Sequence, residues 1–180
     1  MAKKVLIISA SPRKGSNSDA LCEEFKRGAI EIGHYVEKVL LRDKQISYCV
    51  GCGACIINGY TNCSQKDDMS ELLDKMIDFD VIVFASPVYF YTINAQMKTF
   101  IDRCCARHTK ISNKEFYYIV TAADTDRNMM DRTIECFRGF LDCLENPVEK
   151  GILKGVGLEG RGEALSTDYA QVAYNMGIQV

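Results

Sequence analysis

The chain has 180 residues, 47% apolar and 26% charged, with three prolines and a formal net charge of −2. That length and balance suit one compact core, and mild acidity without a Lys/Arg cluster excludes the electrostatic footprint of a nucleic-acid binder. No apolar run approaches the ~18 residues needed to cross a bilayer, so no membrane partner is expected.

Met1–Ile8 mimics a signal peptide, but its apolar part is shorter than an h-region of about 7 to 15 residues and Pro12-Arg13-Lys14 follows closely. It reads as the first strand, Lys3–Ser9, of a cytoplasmic protein. A helix follows, opened by Ser16 three residues before Asp19, with Leu21, Phe25, Ala29 and Ile32 on one face and Gly33 at its end. Tyr35–Leu41 is a weaker strand candidate, followed by a long connection over residues 42–67 and a helix opened by Asp68. Asp80–Ala85 and Phe116–Thr121 are apolar or aromatic runs without polar alternation, as in strands covered on both faces. Between them Asn94 opens a helix whose face carries Met97, Ile101 and Cys104. Met130, Ile134, Phe137, Leu141 and Leu144 mark a further helix ending at Asn146-Pro147, Val148–Val156 a last strand, and Glu163–Gly177 a last helix.

Strand and helix thus alternate, which predicts an α/β domain spanning residues 1–180: a doubly wound, five-stranded parallel sheet in the flavodoxin-like order 2-1-3-4-5. The 42–67 connection far exceeds the usual ~2 to 6 residues and is read as a cysteine-rich insertion after strand 2.

In such sheets a ligand lies beyond the carboxyl ends of the strands, where strand order reverses. Three loops should converge there. The first, Ser9 to Ser18, is rich in hydroxyls and runs straight into a helix. Free N–H groups at that helix start, with Ser11, Ser16, Asn17, Ser18 and the charge of Arg13, make an anion cradle; a well-capped loop binding nothing is the plainer alternative. It lacks the Gly-Lys-Ser/Thr of a nucleotide-hydrolysing P-loop. The second, Ser86-Pro87-Val88-Tyr89-Phe90-Tyr91, offers an aromatic shelf for a flat ring, or three aromatics packed in a core or contact. The third begins at Ala122, and strand order alone brings its Ala123 and Asp124 to the same rim.

Ser9-Ala10-Ser11-Pro12-Arg13 with Ser16-Asn17-Ser18, then Cys49, Cys52, Cys55 and Cys63 followed by Asp67-Asp68-Met69, then Ser86–Phe90 leading to Met97-Lys98 and Asp102-Arg103 stand in one order. Through these segments the first 105 or so residues resemble the NADPH-dependent FMN reductase group of the flavodoxin-like superfamily, and within it the iron-sulfur flavoproteins. The resemblance implies an FMN-dependent oxidoreductase in which Ser11, Arg13, Ser16, Asn17 and Ser18, next to Ser9, hold the FMN phosphate. Pro87, Val88, Tyr89 and Phe90 would contact the isoalloxazine. It also implies NAD(P)H or ferredoxin as donor, a quinone, a flavin, oxygen or peroxide as acceptor, and a homodimer or homotetramer that completes the flavin site. A cluster-free NAD(P)H:quinone or azo-compound reductase and a flavodoxin-like electron carrier remain the alternatives.

Cys49, Cys52, Cys55 and Cys63 fall within fifteen residues in a C-x2-C-x2-C…C pattern around Gly51 and Gly53. Four thiolates so spaced suit a [4Fe–4S] cubane, whereas zinc more often uses two separated knuckles; zinc, free thiols or an adventitious disulfide stay open. A cluster there is expected near an FMN of the same or a neighbouring subunit. Cys22, Cys104, Cys105, Cys136 and Cys143 read as core, and His34 and His108 as ordinary surface residues. Gly155-Val-Gly157-Leu-Glu-Gly160 has too little chain after it for a dinucleotide-binding unit and reads as a strand end and loop at the site mouth or a subunit contact.

Overall fold

A computed structural model describes residues 1–180. The first half holds β1 (Lys4–Ser9), α1 (Asn17–Glu31), β2 (Tyr35–Leu40), α2 (Ala54–Ile57), α3 (Met69–Asp78), β3 (Val81–Tyr89) and β4 (Thr92–Ile93). It continues with α4 (Ala95–Arg103), β5 (Glu115–Thr121), α5 (Asp131–Leu141), β6 (Val148–Gly155) and α6 (Asp168–Ile178). The sheet has six strands rather than five. Five run parallel in the order β2-β1-β3-β5-β6, and β4 pairs antiparallel with the outer end of β3. The sixth strand arises because β3 does not stop at Ala85 but continues to Tyr89 and folds back through Phe90-Tyr91.

Successive residues of a strand point to opposite faces, and the core divides accordingly. Leu6, Ile8, Ile82, Phe84, Phe116, Tyr118 and Val120 pack with α3, α4 and α5 on one face. Val5, Ile7, Val81, Val83, Tyr117, Ile119 and Leu153 pack with α1 and α6 on the other. Both faces being covered, the central strands carry no polar alternation. Phe84 anchors the larger layer among Phe100, Phe116, Phe137 and Phe140, with ring centroids 5.5–6.1 Å away. Burying a side chain of this kind contributes about 1.5–3 kcal/mol.

α1 and α6 cross closely enough that a Cβ on Gly28 would lie 2.2 Å from the Tyr174 carbonyl oxygen, and one on Gly177 2.1 Å from that of Phe25. α6 starts five residues later than Glu163: a short 3-10 turn occupies Glu163–Ser166, and Thr167 caps the helix by accepting a hydrogen bond from the Tyr169 N–H. His34 is half-buried rather than a free surface group, its Nδ1 accepting the Lys3 N–H at 3.1 Å, and burial lowers its pKa. No helix is long and apolar enough to cross a membrane.

Candidate functional site

The first loop turns through Gly15, at φ 65°, and enters α1 at Ser16, whose extended backbone and hydroxyl, accepting the Asp19 N–H at 3.2 Å, form the cap. Asn17 and Ser18 follow, and their N–H groups belong to the first helical turn, which has no intrahelical acceptors. Asp19, buried in that turn, accepts the Ser9 hydroxyl at 2.6 Å and the Arg42 guanidinium at 2.5 Å, with Lys38 at 3.8 Å. Those two cations offset a carboxylate that would otherwise repel an anion at the helix start. Arg42 also donates to the carbonyls of Ser11 and Arg13, each at 3.4 Å, tying the loop to the end of β2.

Asn94 joins the second loop to the first. It caps α4 by accepting the Met97 N–H at 3.3 Å, donates to the Ala10 carbonyl at 2.6 Å, and its own N–H reaches the Ser86 hydroxyl at 3.2 Å. Between β3 and β4, Phe90 and Tyr91 occupy a two-residue turn with φ of 48° and 63°. Bulky residues in the left-handed region are strained, and such strain concentrates at functional sites. Phe90 is 99% exposed there, and Arg132 lies over the Tyr91 ring at 5.9 Å.

These loops enclose a cleft of ≈150 Å³ at the β1/β3 switch point, lined on the first loop by Ser11, Arg13, Ser16, Asn17 and Ser18. Pro87, Val88 and Tyr89 form its second wall, and Thr121, Ala122, Ala123, Leu158 and Glu159 its third. Nine of the twelve residues proposed for the cofactor thus come together, while Ser9, Phe90 and Asp124 do not line the cleft. Ser9 is fully buried and spent on Asp19. Asp124 folds onto its own loop by accepting the Asp126 N–H at 2.9 Å, and Phe90 projects beyond the rim.

Two lining side chains are committed elsewhere. Asn17 donates to the Leu158 and Gly160 carbonyls and accepts the Ala164 N–H, and the Ser18 hydroxyl pairs with that of Thr121 at 2.8 Å. Their contribution to an anion is therefore through the backbone. The exposed Arg13 guanidinium makes no ion pair. Sequence reasoning missed Leu158 and Glu159, which reach the cleft because β6 ends at Gly155 and Gly157 turns at φ 68°. The Gly155–Gly160 run does form a strand end and mouth loop.

The cysteine segment is organised by Arg103. It is buried at the end of α4, gripping Asp67 with two bonds of 2.7 and 2.9 Å and the Ser47 carbonyl at 2.6 Å. The Asp67 carboxyl is held below its usual range first by these guanidinium bonds, then by the N–H groups of Ser47 and Met69. Asp67 rather than Asp68 accepts the Met69 N–H at the start of α3, while Asp68 accepts the Gln45 N–H. Between these anchors Gly51, Gly53 and Gly59 take φ of 64–71°.

Cys49 and Cys52 are exposed, Cys55 and Cys63 half-buried. Cys52 meets the Ser64 hydroxyl at 3.4 Å, and hydrogen bonds from Ser64 and from the Ala54 N–H lower its pKa. No three Cys, His, Asp or Glu side chains are gathered in metal-ligating geometry, and no cysteine lines the cleft. α4 separates the two regions: it starts beside the first loop and carries Arg103 nine residues on, about 13 Å along a helix. Of the cysteines read as core, Cys22 and Cys104 are buried, with burial raising their pKa, whereas Cys105 and Cys143 are exposed and Cys136 is half-buried.

The family model for NADPH-dependent FMN reductases matches residues 3–139. An iron-sulfur flavoprotein of Archaeoglobus fulgidus is 43% identical over 100 residues, covering 56% of this chain and 44% of that protein. Iron-sulfur flavoprotein MJ1083 of Methanocaldococcus jannaschii is 40% identical over 100 residues, covering 56% and 51%. The chain thus spans about half the length of these curated relatives. Among solved structures, an NAD(P)H:quinone oxidoreductase from Methanothermobacter marburgensis superimposes with a TM-score of 0.76 at 19% identity, covering 99% of this chain and 97% of that one. An FMN-dependent NADH-azoreductase from Bacillus anthracis, in complex with FMN, gives 0.71 at 14% identity with 98% of each chain covered. At these identities the structures attest the fold, which is α/β and flavodoxin-like, while the family match over residues 3–139 makes the chain a member of the NADPH-dependent FMN reductase family.

Proposed function

We propose that the chain, read as one flavodoxin-like domain, binds FMN in this cleft and acts as an FMN-dependent oxidoreductase of the NAD(P)H-dependent FMN reductase type. The observation that carries this is the convergence of a helix start, an uncommitted arginine and the proline-aromatic turn at the strand-order reversal. The donor set fits a phosphate monoester: backbone N–H groups of Asn17 and Ser18, the hydroxyls of Ser11 and Ser16, and the Arg13 guanidinium. At ≈150 Å³ the cleft is below the ~300 Å³ of a pocket that encloses a whole ligand. These donors would hold the phosphate, and Pro87–Phe90 would hold the ring.

When bound, FMN supplies the two-electron and one-electron redox chemistry. The protein supplies position: Arg42 and Asn94 hold the first loop in register with the second, and Leu158 closes the third wall. No protein nucleophile is needed. Donors of NAD(P)H or ferredoxin type and acceptors of quinone, flavin or oxygen type are compatible with an open ring face. The fully exposed Phe90 favours a homodimer or homotetramer that covers it, and the nine free cysteines suit a reducing cytoplasm.

Cys49, Cys52, Cys55 and Cys63 would hold a [4Fe–4S] cluster, an inference supported by four thiols on one glycine-jointed segment and by the names of the archaeal relatives. When present, such a cluster supplies one-electron transfer. A cluster-free quinone or azo-compound reductase is the second reading, favoured by the absence of a gathered thiol triad and of any cysteine in the cleft.

Anaerobic purification with a visible spectrum and iron and sulfide analysis tests both. Flavin bands at about one FMN per chain with NAD(P)H oxidation by a quinone are expected, and about four iron and four sulfide per chain support the cluster. Flavin without iron leaves the second reading; colourless protein that takes up no FMN contradicts both.

A further inference from the structure

Cys55 and Cys105 lie fifty residues apart in sequence, yet their Sγ atoms are 3.9 Å apart. Cys55 is on α2, entered through the left-handed Gly53, and Cys105 is on the 3-10 turn Cys104–Ala106 that follows α4. Both carriers are fixed. The turn is held by the Arg107 N–H on the Cys104 carbonyl at 3.0 Å, with His108 Nδ1 3.1 Å from the Cys105 carbonyl. The cysteine segment is bound to the same end of α4 by the Arg103–Asp67 pair. Cys104, the neighbour in sequence, is fully buried, whereas Cys105 is open to solvent.

We propose that Cys55 and Cys105 form a reversible disulfide when the cysteine segment carries no metal. A disulfide is about 2.0 Å long, so closure asks for about 2 Å of approach, within reach of staggered side-chain rotation. A small-molecule disulfide, RSSR, is the oxidant. One thiolate of the pair attacks it, forming a mixed disulfide and releasing one RS⁻. The second thiolate then attacks the protein sulfur, closing Cys55–Cys105 and releasing the other RS⁻. Two thiols are oxidised, one external disulfide is reduced to two thiols, and the two protons pass to them. The bond stands on geometry alone. Its consequence, resting on the cluster reading above, is that oxidised protein lacks one of four ligands and cannot load iron.

The full chain, stripped of iron by chelator and reductant, is treated with oxidised glutathione, alkylated and digested with trypsin. The expected product links Gln45–Lys66 to Cys104–Arg107, fragmentation placing the bond at Cys55 and Cys105 with Cys49, Cys52 and Cys63 alkylated. C105S abolishes the link and C143S keeps it, both with wild-type circular dichroism. A stable glutathione adduct on Cys105, or bonds from Cys105 to Cys49 or Cys143, or within residues 49–63, would overturn the assignment. Iron uptake is measured separately on reduced and oxidised protein. Uptake several-fold lower after oxidation in wild type, but unchanged in C105S, is expected. Equal uptake by protein with the verified bond overturns the consequence, whereas no uptake even when reduced sinks the cluster reading and leaves the disulfide standing.

Discussion

Arg13 and Arg103 carry the same charge into opposite situations. Arg13 is exposed and unpaired at the mouth of the cleft, so replacing it costs the fold little and the ligand much. A hydrogen bond to a charged group is worth about 1.5–3 kcal/mol, so R13A should weaken FMN binding about 10- to 100-fold with an unchanged melting temperature, measured by flavin-fluorescence titration. Arg103 is buried with Asp67, their side chains 1% and 11% exposed. R103M leaves a buried carboxylate unpaired and should destabilise by about 3–5 kcal/mol in denaturant titrations. Because the paired Asp67 has its pKa held below the ordinary 3.8, its contribution is full above that value and fades as pH falls through the lowered one. The gap between wild type and R103M should therefore shrink below about pH 4; a gap constant from pH 7 to pH 3 would deny the pair this role.

At the scale of elements, the close crossing of α1 and α6 makes a sharper prediction than any single core residue. A Cβ at Gly177 meets backbone atoms of Phe25 and Ala29, so G177A must push two helices apart and should cost about 1–3 kcal/mol. Gly139, exposed in α5 with open space around it, is the control: G139A should gain roughly 0.5–1 kcal/mol. Thermal melts of the two variants moving in the same direction would contradict this packing. The same contrast explains what was legible beforehand. β1, β3 and β5 were readable because sheet faces covered by helices demand unbroken apolar runs, and the α1 and α4 starts because Ser16 and Asn94 act locally. The Phe90-Tyr91 turn was not, since two aromatics in left-handed geometry lack the Asn-Gly signature of a tight hairpin. Arg42 on Asp19, Arg103 on Asp67 and Cys55 on Cys105 were hidden because each joins residues more than twenty positions apart.

For the whole molecule, fold and site follow from one arrangement. The chain reverses direction across the sheet between β1 and β3, leaving a crevice to which the β1, β3 and β5 loops contribute. Most of that crevice could be anticipated from strand order, while the wall made by Leu158 and Glu159 depends on how the segment after β6 folds back. The cysteine segment is tied to the far end of α4 through Arg103 and Asp67. Everything functional rests on the crevice holding a mononucleotide. A crystal structure of the chain grown with riboflavin 5′-phosphate tests this directly. The phosphate should meet Arg13 and the N–H groups of Asn17 and Ser18, with the ring on Pro87–Phe90; a ligand ordered elsewhere, or an empty crevice at saturating concentration, would contradict it.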